Sequence, residues 1–153
     1  MHPRLVVAVL LLISIISPAH AAEKSRNITT RAEVQESVKK FFAFSQSDVS
    51  AALEMYDQTP NIISILDGRP ARGMNEIIKE INSDIHIGYH WELGVIEVLP
   101  IGSNYAISVV PYSKTMTDAM GIPMQMLGVS TLVWQKIEGK WIIIHEHEST
   151  KRP

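Results

Sequence analysis

The chain has 153 residues, 46% of them hydrophobic, and its 14 basic and 16 acidic side chains give a net charge of −2. A balance so close to neutrality argues against a surface built to bind nucleic acid or an anionic membrane. The chain has no cysteine, which excludes disulfides, thiol nucleophiles and thiolate metal sites, so a hydrophobic core must stabilise the fold without cross-links.

The first 21 residues have the pattern of a secretory signal peptide. A charged start, MHPR, precedes an apolar run from Leu5 to Ile16 and an Ala-x-Ala cleavage site at residues 19–21. The apolar run is shorter than the roughly 18 residues that a membrane span needs. We therefore expect a single domain of residues 22–153 that is periplasmic or secreted and leaves the membrane after cleavage. The alternative is an uncleaved amino-terminal anchor.

Helices are predicted in the first half of this domain. Apolar residues at helical spacing indicate an amphipathic helix from Thr29 to Ser47, with Thr30 as its cap. Asp48 fits the cap of a second helix, Val49–Met55. After a short strand at 61–66, which Asp67-Gly68 closes as a tight turn, a third helix is expected from Gly73 to Asp84.

The second half is predicted to be sheet. A two-residue Glu138-Gly139 connection predicts an antiparallel hairpin, and Pro111 predicts a bulge or an edge. Helices followed by an antiparallel meander indicate an α+β domain, with helices on one face of a strongly curved sheet and a cavity at its open end. The four predicted strands are Trp91–Leu99, Asn104–Met116, Met124–Ile137 and Lys140–Glu148.

The last strand ends in WIIIHEHEST, residues 141–150, where two histidines alternate with two glutamates. Strand side chains alternate between faces, so His145 and His147 are predicted to continue the row of Trp141 and Ile143 into the cavity. The glutamates are predicted to face a partner subunit or solvent. Three interpretations follow: two ligands of a metal completed by His86 or His90, a general acid or base, or a polar wall of the cavity.

Other side chains have a functional and a structural interpretation. Met116, Met120, Met124 and Met126 could bind cuprous ion, although methionines more often fill irregular apolar gaps. Arg69 and Arg72 could bind an anion or belong to a solvated loop. We predict no metal and no cofactor.

The sequence resembles a known superfamily in several segments. STLVWQKIEGKWIIIHEHEST resembles the carboxy-terminal hairpin of SnoaL-like, nuclear-transport-factor-2-like domains, which have a cystatin-like α+β cone. Within it, VWQKIEGKWIIIHEH is similar to the association domain of calcium/calmodulin-dependent protein kinase II and its bacterial relatives. ALEMYDQTPNIISI and GRPARGMNEIIKEI extend the likeness over Val34 to Ser149.

The resemblance implies a homodimer or larger ring packed through the outer sheet face, and a deep pocket between sheet and helices. Some members are isomerases, dehydratases or hydrolases, and others bind ligands or assemble. Tyr56 and Asp57 match the Tyr-Asp end of the family's second helix. The acidic partner that steroid isomerases place on a late strand has no predicted counterpart here, which argues against that activity.

The leading hypothesis is an exported homodimer whose apolar pocket binds an unknown small molecule. The alternatives are a cofactor-independent isomerase, dehydratase or hydrolase with Asp57 or His147 as the catalytic base, and a purely oligomeric scaffold. The predicted ligand-binding residues are Tyr56, Trp91, Tyr112, His145 and His147.

Overall fold

The computed structural model describes residues 18–84, 89–117 and 120–151. The apolar run of the predicted signal peptide and His86 lie outside these residues. Three helices precede most of the sheet: α1, Pro18–Ser47; α2, Val49–Leu53; and α3, Met74–Asp84. Among the described residues, no helix is long and apolar enough to cross a membrane.

In the described part of the chain, seven strands form one mixed sheet in the order β2-β1-β7-β6-β5-β3, with β4 also paired to β5. Among the described residues, five of the six strand pairings are antiparallel, and β1 runs parallel to β7. The strands are β1, Ile63–Leu66; β2, Arg69–Arg72; β3, Tyr89–Leu93; β4, Glu97–Ile101; β5, Tyr105–Thr117; β6, Pro123–Ile137; and β7, Lys140–Lys151.

The predicted α+β architecture is confirmed, with three differences in the elements. Helix α1 starts at Pro18 instead of Thr29, because residues 19–29 continue the helix in solvent. Thr30 is therefore buried within α1 and does not cap it. The predicted strand at 91–99 is two strands, because the chain leaves β5 at Gly94 and rejoins it at Glu97.

Pro111 lies at that break, where Gly94 donates its backbone N–H to the carbonyl oxygen of Pro111 at 2.7 Å. Strand β5 is internal to the sheet, so the predicted edge is wrong and the irregularity falls on its partner strands. The predicted hairpin is confirmed, with Glu138 and Gly139 both at positive φ.

The core fills the concave face of the sheet beneath α1. Val34, Val38 and Phe42 of α1 are buried against Trp134 of β6 and Ile143 of β7. At one end, Glu33 of α1 accepts hydrogen bonds from Lys136 and Trp141, which pin the helix to the β6–β7 hairpin. The other end, beyond Phe41 and Phe42, is less completely filled, and a cavity lies there.

Candidate functional site

A cavity of about 90 Å³ lies between the helices and the inner face of the sheet. Helix α1 supplies Phe41 and Phe42, helix α3 supplies Ile77 and Ile81, and strand β3 supplies Trp91. These side chains make most of the wall apolar. Its polar end is formed by a smaller set from α3 and three neighbouring strands: Ser64, Glu80, Lys114, Glu146 and Glu148.

The two glutamates reach the cavity because β7 contains a β-bulge. Trp134 of β6 pairs with Ile143. The adjacent residue of β6, Val133, pairs with His145, so Ile144 has no partner residue on β6. One extra residue exchanges the two faces of a strand beyond it. Glu146 and Glu148 therefore follow Ile143 into the interior.

The prediction that both imidazoles point into the cavity is consequently wrong. His145 is half-buried and His147 is exposed, and they lie on the outer face opposite Val133 and Thr131 of β6. The side chains of β7 alternate strictly between the two faces only as far as Ile143. The glutamates that the sequence assigned to a partner or solvent line the cavity instead.

Glu146 is buried among hydroxyl groups, with 8% of its surface exposed. Its Oε2 accepts hydrogen bonds from the Tyr56 hydroxyl at 2.6 Å and the Ser64 hydroxyl at 3.0 Å. Burial raises the pKa of Glu146 above its ordinary value, the charge of Glu80 adds to that effect, and the two hydrogen bonds oppose it. Glu146 therefore holds a proton more readily than an exposed glutamate does.

Glu148 lies one step further along the same face. Burial, followed by the charge of Glu146, raises the pKa of Glu148 from 4.5 to about 7. The Tyr112 hydroxyl donates a short hydrogen bond to its Oε1, and this bond and the nearby Lys114 favour the ionised carboxylate. Burial and the charge of Glu148 raise the pKa of Tyr112 itself, so the phenol keeps its proton. Glu148 can therefore exchange a proton near neutral pH.

Aromatic side chains surround this acidic pair. The Trp91 ring meets the Tyr112 ring edge-on at 4.5 Å and the Phe42 ring at 5.2 Å. The ammonium group of Lys114 lies over Trp91, 4.8 Å from the ring centroid, and only 8% of this lysine is exposed. The ring face and the neighbouring carboxylate both attract this cation.

The predicted site residues divide into two groups. Tyr56 and Trp91 line the cavity, and Tyr112 lies behind Trp91 with its hydroxyl on Glu148. Asp57 lies in the turn after α2, where its carboxylate accepts from the backbone N–H of Thr59 at 3.1 Å and from its hydroxyl at 2.6 Å. Asp57 and His147 do not line the cavity, and a catalytic role for them stays a prediction.

Sequence reasoning missed Ser64, Lys114, Glu146 and Glu148. Lys114 could have been found, because it shares the face of Tyr112 on β5. Ser64 is identified only by its pairing with Glu146 across β1 and β7. The glutamates could not be found by alternation, since the bulge at Ile144 reverses it.

The other candidate ligands do not converge. Among the described residues, no group of three histidine, aspartate or glutamate side chains is placed to hold a metal ion. His90 contacts the Gln46 side-chain oxygen at 2.9 Å, and Arg69 and Arg72 are exposed on β2. Met116 and Met124 are cross-strand partners in the β5–β6 hairpin.

Comparisons with known proteins agree with this fold. The family model described as calcium/calmodulin dependent protein kinase II association domain matches residues 76–152, about half of the chain. A nuclear transport factor 2-like superfamily protein of Salmonella enterica has a TM-score of 0.73 at 18% identity, over 82% of this chain and 93% of that one. No curated protein sequence matches significantly.

Two further solved structures with the same fold belong to proteins that are described by different roles. The association domain of the Caenorhabditis elegans kinase has a TM-score of 0.65 at 16% identity, over 84% of this chain and 98% of that chain. A ketosteroid isomerase-like protein of Erwinia carotovora has a TM-score of 0.68 at 21% identity, over 80% and 96%. Identities this low establish the fold alone. The family model shows membership: this chain belongs to the calcium/calmodulin-dependent protein kinase II association domain family.

Proposed function

We propose that this protein binds a small molecule with an apolar body and a cationic or hydrogen-bond-donating head. The observation that carries the proposal is the pair of carboxyl groups, Glu146 and Glu148, that the bulge in β7 turns into a largely apolar cavity. Burying two carboxyl groups costs free energy that leucines in their place would not. A ligand whose donors match them would recover part of that cost.

The charges at the polar end favour this head group. Glu80, Glu146 and Glu148 line the cavity together with one cationic side chain, Lys114. Glu148 ionises near pH 7, so that an amine meets a carboxylate there above neutrality while a ligand carboxylate is repelled. A volume of about 90 Å³ restricts the ligand to a few heavy atoms, well below the roughly 300 Å³ of ordinary ligand pockets.

A matched series of probes tests the head group. Isobutylamine, isobutanol and isovalerate share one branched body and differ in the polar group, and their binding can be measured by NMR titration at pH 8. We expect the amine to bind most tightly, and Glu148→Gln to weaken it about tenfold or more. His147→Ala is the matched control, because its side chain lies on the opposite face of the same strand. Equal binding of all three probes, or amine binding that survives Glu148→Gln, would contradict the proposal.

A second candidate function is cofactor-independent proton transfer, and the pKa of Glu148 near 7 favours it. The Glu148 carboxylate would take a proton from a carbon next to a ligand carbonyl, breaking the C–H bond and forming its own O–H bond. The protonated form of Glu146, which burial favours, would donate a hydrogen bond to the resulting enolate oxygen. Glu148 would then have the role that the sequence assigned to Asp57 or His147.

Deuterium exchange at the α-carbon of butanone in D₂O measures this reaction directly. The exchange rate is expected to rise with pH through about 7 and to fall to the buffer rate in Glu148→Gln. An Asp57→Asn variant should keep the wild-type rate, since Asp57 bonds to Thr59 outside the cavity. Exchange no faster than in buffer would remove the enzymatic candidate and leave the binding proposal in place.

We also propose that the outer sheet face joins two copies of the chain, or more. Exposed apolar side chains lie there on β4, β5 and β6, among them Leu99, Val109 and Val129. Val129→Asp is expected to dissociate the assembly in sedimentation velocity. Val95→Asp is the control, because Val95 is 78% exposed in the loop between β3 and β4. A monomeric wild-type protein would contradict the proposal.

Export is the remaining proposal, and residues 1–21 carry it. Protein isolated from a periplasmic or culture fraction of the native host should have the intact mass of a chain that begins at Ala22. Protein that is found in the membrane fraction with the mass of the uncleaved chain would instead identify an uncleaved anchor.

A further inference from the structure

Gly128 of β6 lies directly beneath the ring of Tyr112. The two residues are cross-strand partners in the β5–β6 ladder. A Cβ atom added to Gly128 would lie 2.2 Å from Cζ and 2.3 Å from the hydroxyl oxygen of Tyr112. Atoms cannot approach so closely, so the end of the phenol ring occupies the place of a side chain at position 128.

No backbone requirement explains this glycine. Its φ lies outside the left-handed region that favours glycine, and it sits within β6, away from any turn. A glycine in the interior of a strand costs conformational entropy and often marks a place where another group must come close. Here the group that comes close is Tyr112.

The ring crosses β6 in order to reach β7. Tyr112 starts on β5, and its hydroxyl donates to Glu148 on β7, two strands away. Two strand spacings are about 10 Å, so the ring has to lie flat over the intervening strand. Trp91, whose ring is 4.5 Å away, and Phe42, at 6.1 Å, pack against the ring and hold it down.

We propose that Gly128 is a positioning residue, whose missing side chain leaves the gap through which Tyr112 crosses β6 to hold the carboxyl group of Glu148. The inference rests on the proposed function for its biological meaning, because it assigns to Gly128 the orientation of the ligand-binding carboxyl. The contact itself exists without ligand and is tested without ligand.

The first test is a ¹³C NMR titration of the Glu148 carboxyl in ligand-free Gly128→Ala protein. The hydrogen bond from Tyr112 favours the ionised form of Glu148, so its loss should raise the Glu148 pKa above about 7. Tyr112→Phe should raise it in the same direction and by a similar amount. Val129→Ile, which adds one methyl group to the outer face of the same strand, is the matched control and should leave the titration unchanged.

Adding Gly128→Ala to Tyr112→Ala distinguishes positioning from a general disturbance of the sheet. Both the hydrogen bond and the clashing ring are already absent in that background, so the second substitution should cause no further change in the Glu148 titration. An unchanged titration in Gly128→Ala alone, or a further shift in the Tyr112→Ala background, would overturn the inference.

If Gly128→Ala does not fold, Tyr112→Ala with Gly128→Ala replaces it. Removing the ring removes the clash, so the double variant should fold and melt at or above the temperature of Tyr112→Ala alone. A double variant that remains unfolded would show that Gly128 acts through something other than Tyr112. Isobutylamine binding, measured separately, tests the proposed function. If isobutylamine does not bind but Gly128→Ala shifts the Glu148 titration, the positioning role of Gly128 stands and the proposed ligand class is wrong.

Discussion

Strand β7 has two halves that follow opposite rules. From Lys140 to Ile143 the alternation is regular, and Trp141 and Ile143 enter the core. From His145 onward the inner positions are taken by Glu146 and Glu148, and the outer ones by the histidines. Ile144 separates the halves as the extra residue of a bulge. The first half therefore stabilises the fold, and the second half carries the ionisable groups of the cavity.

The two halves also have different neighbours on one edge. Ile143 bonds to the chain after α2, donating to the Met55 carbonyl and accepting from the Asp57 N–H, both at 2.8 Å. His145 begins the parallel pairing with β1. The bulge thus coincides with a change of partner strand, and the same junction brings Tyr56 to Glu146. Bulges recur next to active sites because they redirect side chains in this way.

The largest expected effect separates the stabilities of the two halves. Ile143→Ala removes a fully buried side chain and should lower the free energy of unfolding by about 2–5 kcal/mol. Glu146→Gln keeps the shape and both accepted hydrogen bonds, and should change it by less than about 1 kcal/mol. Urea denaturation measures both. Equal losses would mean that the carboxyl half is as important to stability as the apolar half.

The second effect is the pH dependence of stability, which belongs to the carboxyl half. Between pH 4.5 and about 7 the folded protein holds a proton on Glu148 that the unfolded chain has lost. The free energy of unfolding therefore falls as pH rises through this window, by about 1.4 kcal/mol per pH unit or roughly 3 kcal/mol in all. The contribution is fully present below pH 4.5 and is lost above about 7.

Glu148→Gln isolates this contribution from those of the other carboxyl groups. The difference in unfolding free energy between wild type and variant should change between pH 4.5 and 7 and be constant on either side. A flat difference for Glu148→Gln would mean that its carboxyl titrates as it does in water.

Sequence patterns sufficed where structure depends on neighbouring residues. The apolar spacing predicted α3, Asp48 predicted the cap that accepts from the Ala51 N–H at 3.1 Å, and the Glu138-Gly139 pair predicted the hairpin. These signals lie within a few residues of the elements they specify.

Patterns failed where structure depends on distant contacts. The face of Glu146 and Glu148 follows from the pairing of β7 with β6 and with the chain near Tyr56, about 90 residues earlier. Nothing within WIIIHEHEST marks Ile144 as the extra residue. A correct fold therefore came with an inverted candidate site, because one residue of register reverses every later side chain.

Deleting Ile144, the extra residue of the bulge, should have a smaller effect on stability. Without the extra residue, plain alternation from Ile143 would still put Glu146 and Glu148 inside. The Glu148 titration should stay near pH 7, and the loss of a half-buried side chain should cost about 1–2 kcal/mol. A Glu148 titration near pH 4.5 in the deletion variant would show that the bulge does not set the face.

The smallest effects are expected for the two histidines. His145 lies opposite Val133 on β6 and beside Ile63 on β1, and His147 lies opposite Thr131 and beside Ile65. Because these positions belong to the outer face, His145→Ala and His147→Ala should change the unfolding free energy by no more than about 0.5 kcal/mol in the monomer. Neither should alter the Glu148 titration or isobutylamine binding. A change in assembly size without a change in binding would place the imidazoles in the interface between copies, whereas loss of binding would return them to the cavity.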